Sequence, residues 1–343
     1  MLRVQKRGTL EAMRALLLLV LVLSACATQP NAAASPTPSP TASSTASPIP
    51  TPTSSPTPSP TPIALPSFAQ LSAPSDTVVW ALVAGTRLFR SSDRGDTWEE
   101  RALPRVSSPQ SLAFVSEREG FLLIAGDPGT LCGSVNAEIW HTSDGAATWE
   151  KLPATGGIND PCKSDLSAAS PSQAFVVGLD QNKAAVVYIT QDGGVSWQIS
   201  KPLPNPPAPV TTGGLYPHRV RAFGSTFLME ATVAPPATHY VYRSTDGAAG
   251  WSFVTTAPPS DGFVTFVSAS RWITIGAPGD SKETTDGGAT WHPYATDYSQ
   301  AAPVAPVIVF GDASVGYATV RGGIQRTTDG GTHWTMIKTP GTG

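Results

Sequence analysis

Ser91-Ser92-Asp93-Arg94-Gly95-Asp96-Thr97-Trp98 is the first of six copies of one octapeptide. The second and third are Thr142-Ser143-Asp144-Gly145-Ala146-Ala147-Thr148-Trp149 and Thr190-Gln191-Asp192-Gly193-Gly194-Val195-Ser196-Trp197. Ser244-Thr245-Asp246-Gly247-Ala248-Ala249-Gly250-Trp251, Thr284-Thr285-Asp286-Gly287-Gly288-Ala289-Thr290-Trp291 and Thr327-Thr328-Asp329-Gly330-Gly331-Thr332-His333-Trp334 complete the set. Successive box aspartates are 51, 48, 54, 40 and 43 residues apart, a mean near 47. That length accommodates one four-stranded sheet per repeat.

Each box reads as a hairpin turn. The aspartate accepts hydrogen bonds from backbone N–H groups of its own turn, glycine at the next one or two positions permits positive φ, and the tryptophan returns its indole onto the neighbouring sheet. Short apolar runs precede each box. In the second repeat they are residues 111–115, 121–125 and 137–142, taken as strands A, B and C, and the residues after the box supply strand D. No sustained 3.6-residue periodicity occurs beyond the N-terminal segment, so the expected class is all-β.

These octapeptides resemble the Asp boxes, or BNR repeats, of the sialidase-like β-propeller superfamily. The resemblance covers about residues 75 to 338. It implies a six-bladed propeller of four-stranded antiparallel blades, with a seventh blade left open by the sequence. The same box occurs in sialidases, xyloglucan-cleaving glycosidases, sortilin-type receptors and photosystem II assembly factors. Boxes three, five and six, with the form Thr-x-Asp-Gly-Gly-x-x-Trp, look most like the last group and related bacterial lipoproteins. In all of these families the box lies away from the ligand site. The resemblance therefore makes Asp93, Asp144, Asp192, Asp246, Asp286 and Asp329, with their tryptophans, structural rather than catalytic.

Composition narrows the function. The 343 residues include 34 Pro and 31 Gly, about a fifth of the chain, which points to disorder in part and to many turns. Lys plus Arg number 22 against 25 Asp plus Glu, a formal charge of −3, so there is no basic surplus for a phosphate backbone and no nucleic-acid partner is expected. The three cysteines form no Cys-x-x-Cys pair or zinc-spaced cluster; no metal site and no cofactor are signalled.

The N-terminus reads as an address. Arg3, Lys6, Arg7 and Arg14, against Glu11, precede a nine-residue apolar run, residues 15–23. A bilayer-spanning helix needs about 20 residues, so this is the hydrophobic region of a signal peptide. Leu23-Ser24-Ala25-Cys26 resembles the lipobox of bacterial lipoproteins, which implies cleavage after residue 25 and a diacylglyceryl group on Cys26. The alternative is an ordinary signal peptide cut near Ala27. Cleavage before Cys26 moves the formal charge from −3 to −6, so the lipid, not a polybasic patch, makes the membrane attachment. The expected location is the outer face of the bacterial cell membrane.

Residues 27–66 carry no charged side chain, 12 Pro and 16 Ser or Thr. Such a segment builds no core. It reads as a disordered, extended spacer reaching roughly 120 Å at about 3.1 Å per residue, with a composition that also suits O-glycosylation. The expected domains are thus a signal peptide (1–25), a lipidated cysteine with its linker (26–66) and a propeller (67–343).

Loop lengths point to a working face. In a blade the A–B and C–D turns share one side, and the B–C turn and the D–A link share the other. The A–B connections are terse (116–120, 224–225, 268–270, 312–316). The opposite set is long (126–136, 154–166, 201–218, 234–238, 255–261, 277–281, 296–306), so recognition is expected opposite the boxes. Cys132 and Cys162 fall in two of these loops, and a disulfide between them would fix both. Asp165, His218, Arg219 and Asp261, with Tyr216 close by, lie at the starts of A strands and are the candidate ligand contacts for a polar or anionic group.

Two classes of function compete. One is a non-enzymatic binding or assembly module for a protein or glycan partner. The other is a glycosidase. The fit to a sialidase is poor: Arg87, Arg90 and Arg105 lack the Arg-Ile-Pro-like context, Arg219, Arg221, Arg243, Arg271 and Arg321 supply charge without a recognisable pattern, and no Tyr–Glu pair is evident. A two-carboxylate hydrolase would use Asp165 and Asp261 facing each other across the channel. None of the histidines, His141, His218, His239, His292 and His333, sits in a catalytic motif; His141 and His333 read as structural. The repeats begin at strand A and end at strand D, which leaves the usual strand-swap closure missing unless residues 63–74 supply it.

Overall fold

The structure, a computed structural model, describes residues 69–105, 111–125, 136–153, 155, 158–207, 214–233, 238–260, 262–276, 279–298, 307–320 and 323–340. The signal peptide, Cys26, the linker, Cys132, Asp261 and Arg321 lie outside them. The described residues contain strands and turns and no helix.

The chain forms a six-bladed β-propeller of four-stranded antiparallel blades. In each blade the strands follow sequence order from the axis outward. The innermost strands are Ala69–Ser72, Ser111–Phe114, Lys163–Ala168, the split pair Tyr216–Pro217 and Arg221–Phe223, Thr265–Phe266, and Ile308–Phe310. The second blade matches its sequence reading closely, with strands Ser111–Phe114, Gly120–Ile124, Glu138–Thr142 and Glu150–Lys151. Strands of Val, Ile, Leu and Phe such as Ala174–Leu179 and Ala185–Thr190 are buried throughout, because each blade is sandwiched between two others.

The core is divided among six seams, one between each pair of neighbouring blades. The box tryptophan of each blade packs into the seam with the blade before it. Trp149 joins Trp80, Leu82 and Leu88 of blade 1, for example, and donates its indole N–H to Ala102 O at 2.9 Å.

That arrangement explains how the ring closes. Ala69–Ser72 is the innermost strand of blade 1 itself, paired with Val79–Val83, and Thr335–Ile337 is the outermost strand of blade 6. Among the described residues no strand is shared between the first and last blades, and side chains and turns join them. Trp98 packs into the cluster of Leu71, Val309 and Tyr317 and donates to Lys338 O at 2.7 Å, repeating the Trp149 contact one blade earlier. Arg326 donates to Arg94 O and Asp96. Gly311 is required here: a Cβ on it would lie 2.0 Å from Ser75 O, so only glycine lets the blade 6 turn meet the blade 1 turn.

The boxes obey one hydrogen-bond code. A Ser or Thr hydroxyl opens the box, donates to the aspartate two residues on and accepts the N–H four residues on, as Thr190 does with Asp192 and Gly194. The aspartate then accepts the N–H of the residue four further on and, in boxes one, two, three and five, that residue's hydroxyl, as with Ser196 at 2.9 and 2.5 Å. Both residues after each aspartate have positive φ. The first of them donates to the A–B turn of its own blade in five of six cases, for example Gly193 N to Ser172 O at 2.9 Å. Boxes and A–B turns therefore share a face. On the other face Ala137 N donates to Asn159 O, joining a B–C connection to the next D–A link.

Candidate functional site

Blade 4 departs from the others at its innermost strand. Pro217 pairs with Ala231 and Arg221 with Leu228, so His218, Arg219 and Val220 stand opposite Met229 and Glu230. This is one residue too many. A β-bulge results, at a proline that has no N–H to give to the ladder, and bulges re-aim side chains.

Arg219 is the side chain most affected. Its guanidinium crosses the axial channel to three other blades, donating to Leu71 O at 3.3 Å, Gln70 Oε1 at 3.2 Å and Asp165 Oδ1 at 3.2 Å, with a longer approach to Ser111 Oγ at 3.5 Å. Asp165 Oδ1 also accepts from Ser111 Oγ at 2.6 Å and Leu166 N at 2.9 Å. Arg221 reaches the opposite way and donates to Phe310 O of blade 6 at 3.0 Å. Burial, reinforced by the charge of Arg219, lowers the Arg221 guanidinium to about 10.

The two arginines line two cavities in tandem. The loop-face cavity, about 150 Å³, is lined by Gln70, Asp165, His218, Arg219, Arg221, Glu230, Phe263 and the inner strands of blades 5 and 6. The box-face cavity, about 350 Å³, is lined by the inner-strand ends and A–B turns beyond the same two arginines.

Around the smaller cavity, His218 shares a 2.8 Å hydrogen bond between Nε2 and Thr232 Oγ1, and burial holds its imidazole below the usual range. Its ring lies 4.4 Å from that of Phe263, which is 43% exposed. Glu230 is buried; it pairs through Oε1 with His239 Nδ1 and accepts from Val264 N through Oε2 at 2.8 Å. Both carboxylates of this cavity thus already have side-chain partners, Asp165 in Arg219 and Glu230 in His239.

The structure brings together three of the five sequence-selected contacts, Asp165, His218 and Arg219. Tyr216 is not among the lining residues of that cavity; it is partly buried and packs against the core between blades 3 and 4. Asp261 lies outside the described residues, so a pairing with Asp165 has no structural description. Of the arginines considered for a sialidase-like cluster, Arg87 and Arg90 pair with Glu100 and Glu99, Arg243 reaches Gly287 O, and Arg271 holds Glu283 and Gly330 O. Only Arg219 and Arg221 among the described arginines line the channel cavities.

Cys162 is disulfide-bonded, with its partner outside the described residues. Gly178 lets the backbone approach it, since a Cβ there would lie 2.2 Å from Cys162 O. Beside it Lys163 is fully buried, donating from Nζ to Asp160 O at 3.0 Å and Pro161 O at 3.3 Å, and burial lowers its ammonium to about 8. Among the described residues no cluster of His, Cys, Asp and Glu is arranged to hold a metal.

Sequence reasoning missed Glu230, His239 and Phe263. The signal for the first was present: one acid inside Phe227-Leu228-Met229-Glu230-Ala231 is a charge in an apolar strand, and buried charges need partners.

Residues 57–242 match the family model described as DUF6242 beta propeller domain. A xyloglucanase, Xgh74A of Acetivibrio thermocellus, is 30% identical over 183 residues, 45% of this chain and 20% of that protein, so the chain spans about a fifth of the curated relative's length. Among solved structures, the SapL1 lectin in complex with alpha methyl fucoside aligns with a TM-score of 0.54 at 10% identity, covering 80% of this chain and 97% of that one. AofleA from Arthrobotrys oligospora aligns at 0.51 and 13% identity, over 78% of this chain and 84% of its own. At such identities the likeness to solved structures is one of fold.

Proposed function

Because the chain belongs to the DUF6242 beta propeller domain family, its function rests on what its own side chains add to that scaffold, and we propose that it is a non-enzymatic binding module for a protein or glycan partner. In this reading it is exported, lipidated on Cys26 and held off the outer face of the cell membrane by the Pro/Ser/Thr-rich spacer. A disulfide between Cys162 and Cys132 fixes two loops on the recognition face, and preorganised loops lose less freedom on binding. The partner meets the loop-face mouth, where exposed Phe263, its ring tilted against that of His218, offers an apolar platform beside hydrogen-bonding groups.

One observation carries the choice of binding over hydrolysis. Asp165 and Glu230, the described carboxylates of the mouth, are both engaged, Asp165 with Arg219 and the Leu166 N–H, Glu230 with His239 and the Val264 N–H. A two-carboxylate hydrolase needs one group free to donate a proton and the other free to attack or activate water.

The 30% identity to a xyloglucanase over 183 residues favours a second reading, a glycoside hydrolase acting on a β-glucan. Cross-linking and pull-down of the lipidated protein from its native envelope, run beside xyloglucan and sialoside turnover assays, separates the two. Specific capture without turnover is the expected result; release of reducing sugar that Asp165→Asn abolishes would establish the hydrolase instead.

A further inference from the structure

The two channel arginines are not equivalent. Arg219 spends its donors on Asp165, Gln70 and Leu71 O. Arg221 has one described hydrogen bond, from Nη2 to Phe310 O, and no ion pair with any carboxylate among the described residues. Arg219, another cation, lines the same two cavities. Arg221 is partly buried, with its guanidinium 5.8 Å from the Phe223 ring centroid, and a charge drawn away from water is ordinarily paired, because desolvation is otherwise left largely uncompensated. Among the described residues, one positive charge in the channel therefore has no counterion.

We propose that the box-face compartment of the channel, about 350 Å³, is an anion site in which Arg221 receives an oxyanion, the carboxylate or phosphate group of a small ligand. Charge selects this compartment over its neighbour. The loop-face cavity presents Asp165 and Glu230 to anything that approaches Arg221 from that side. The box-face compartment has a single carboxylate among its lining residues, Asp312, whose Oδ1 accepts the N–H groups of Ser314 and Val315 in its own turn. Arg219 is matched by Asp165 in its own ion pair, so the charges left to the compartment are Arg221 and the turn-held Asp312, and its volume falls within the range of small-molecule sites, about 300 to 1,000 Å³. The site lies on the opposite face from the proposed partner surface and stands or falls independently of it.

Thermal unfolding of the full-length chain tests this in inorganic phosphate, in acetate and in chloride of matched ionic strength. The expected result is a midpoint that rises by about 2 to 4 °C and saturates with phosphate or acetate concentration. Saturation with phosphate alone assigns a phosphate group, saturation with acetate a carboxylate. Arg221→Gln should abolish the response. Ala313→Glu, at an exposed turn position on the compartment's rim, leaves Arg221 in place and should weaken the apparent affinity about tenfold, so the proposal stays testable if Arg221→Gln fails to fold. A linear rise with salt in the unaltered chain, no rise above chloride, or a saturating response that survives in folded Arg221→Gln would each overturn it.

Discussion

At the boxes an aspartate finds nearly all its partners within eight residues of chain, whereas at the axle Arg219 draws its partners from three blades as far as 149 residues away. The first arrangement is local, so it forms wherever the octapeptide occurs and repeats almost unchanged around the ring. The second is made once and depends on every inner strand arriving in place. Removing an axle contact should therefore cost more than removing any single box contact. Arg219→Met tests this directly, since it leaves Asp165 without its cation in a partly buried site while preserving side-chain length. A loss of about 3 kcal/mol is expected, lowering the thermal midpoint by about 6 to 12 °C in a domain of this size. Arg87→Met is the control. Its partner Glu100 is half exposed, and a solvent-screened surface pair of that kind contributes little. Equal losses in the two variants would show that the axle bears no special share of the stability.

The same contrast explains what the sequence revealed. Six boxes at blade spacing, each with a hydroxyl, an aspartate and a tryptophan at fixed offsets, encode their hydrogen bonds within a window short enough to read by eye. The hub does not. Nothing in Tyr216-Pro217-His218-Arg219-Val220-Arg221 says that an extra residue will sit opposite Met229 and Glu230, and it is that bulge which lets His218 and Arg219, adjacent in sequence, line one cavity. Ring closure was illegible for the same reason. The decisive close approach joins Gly311 to Ser75, more than 230 residues apart, and no local pattern marks either position.

Acid should sharpen the comparison, because the box carboxylates titrate where the hub's arginines do not. Asp93, Asp144 and Asp192 are held at about 2, chiefly by the hydroxyl four residues on, and Asp329 also at about 2, chiefly by the backbone N–H of His333. A carboxyl whose folded value lies below its unfolded value near 3.9 contributes stability that is complete above about pH 5 and lost as the pH falls toward 2. The thermal midpoint is thus expected to fall steadily between about pH 5 and pH 2. Asp192→Asn should lower the midpoint at pH 7 and flatten that slope, and the variant and the parent should converge near pH 2. A slope unchanged by Asp192→Asn would mean that acid acts elsewhere than at this box.

Box four supplies the smallest and cleanest break in the code. Gly250 stands where boxes one, two, three and five carry Thr or Ser, so Asp246 Oδ1 accepts the Gly250 N–H at 3.0 Å while Oδ2 has no hydroxyl to match it. The carboxyl of Asp246 is lowered mainly by that N–H, without the hydroxyl contribution seen in Asp192. Gly250 does not have positive φ, so a side chain meets no backbone penalty there. A Cβ would lie 3.0 Å from Asp246 Oδ2, a distance that a small shift of the carboxylate relieves. Gly250→Ser should restore the missing bond and also reduce the freedom of the unfolded chain. It is expected to raise the midpoint by about 1 to 3 °C and to lower the Asp246 carboxyl further, visible as a shift of its side-chain carbon resonance toward lower pH. A gain in midpoint without that shift would assign the effect to chain entropy alone; a loss would mean that the fourth box is held in a geometry its neighbours do not share.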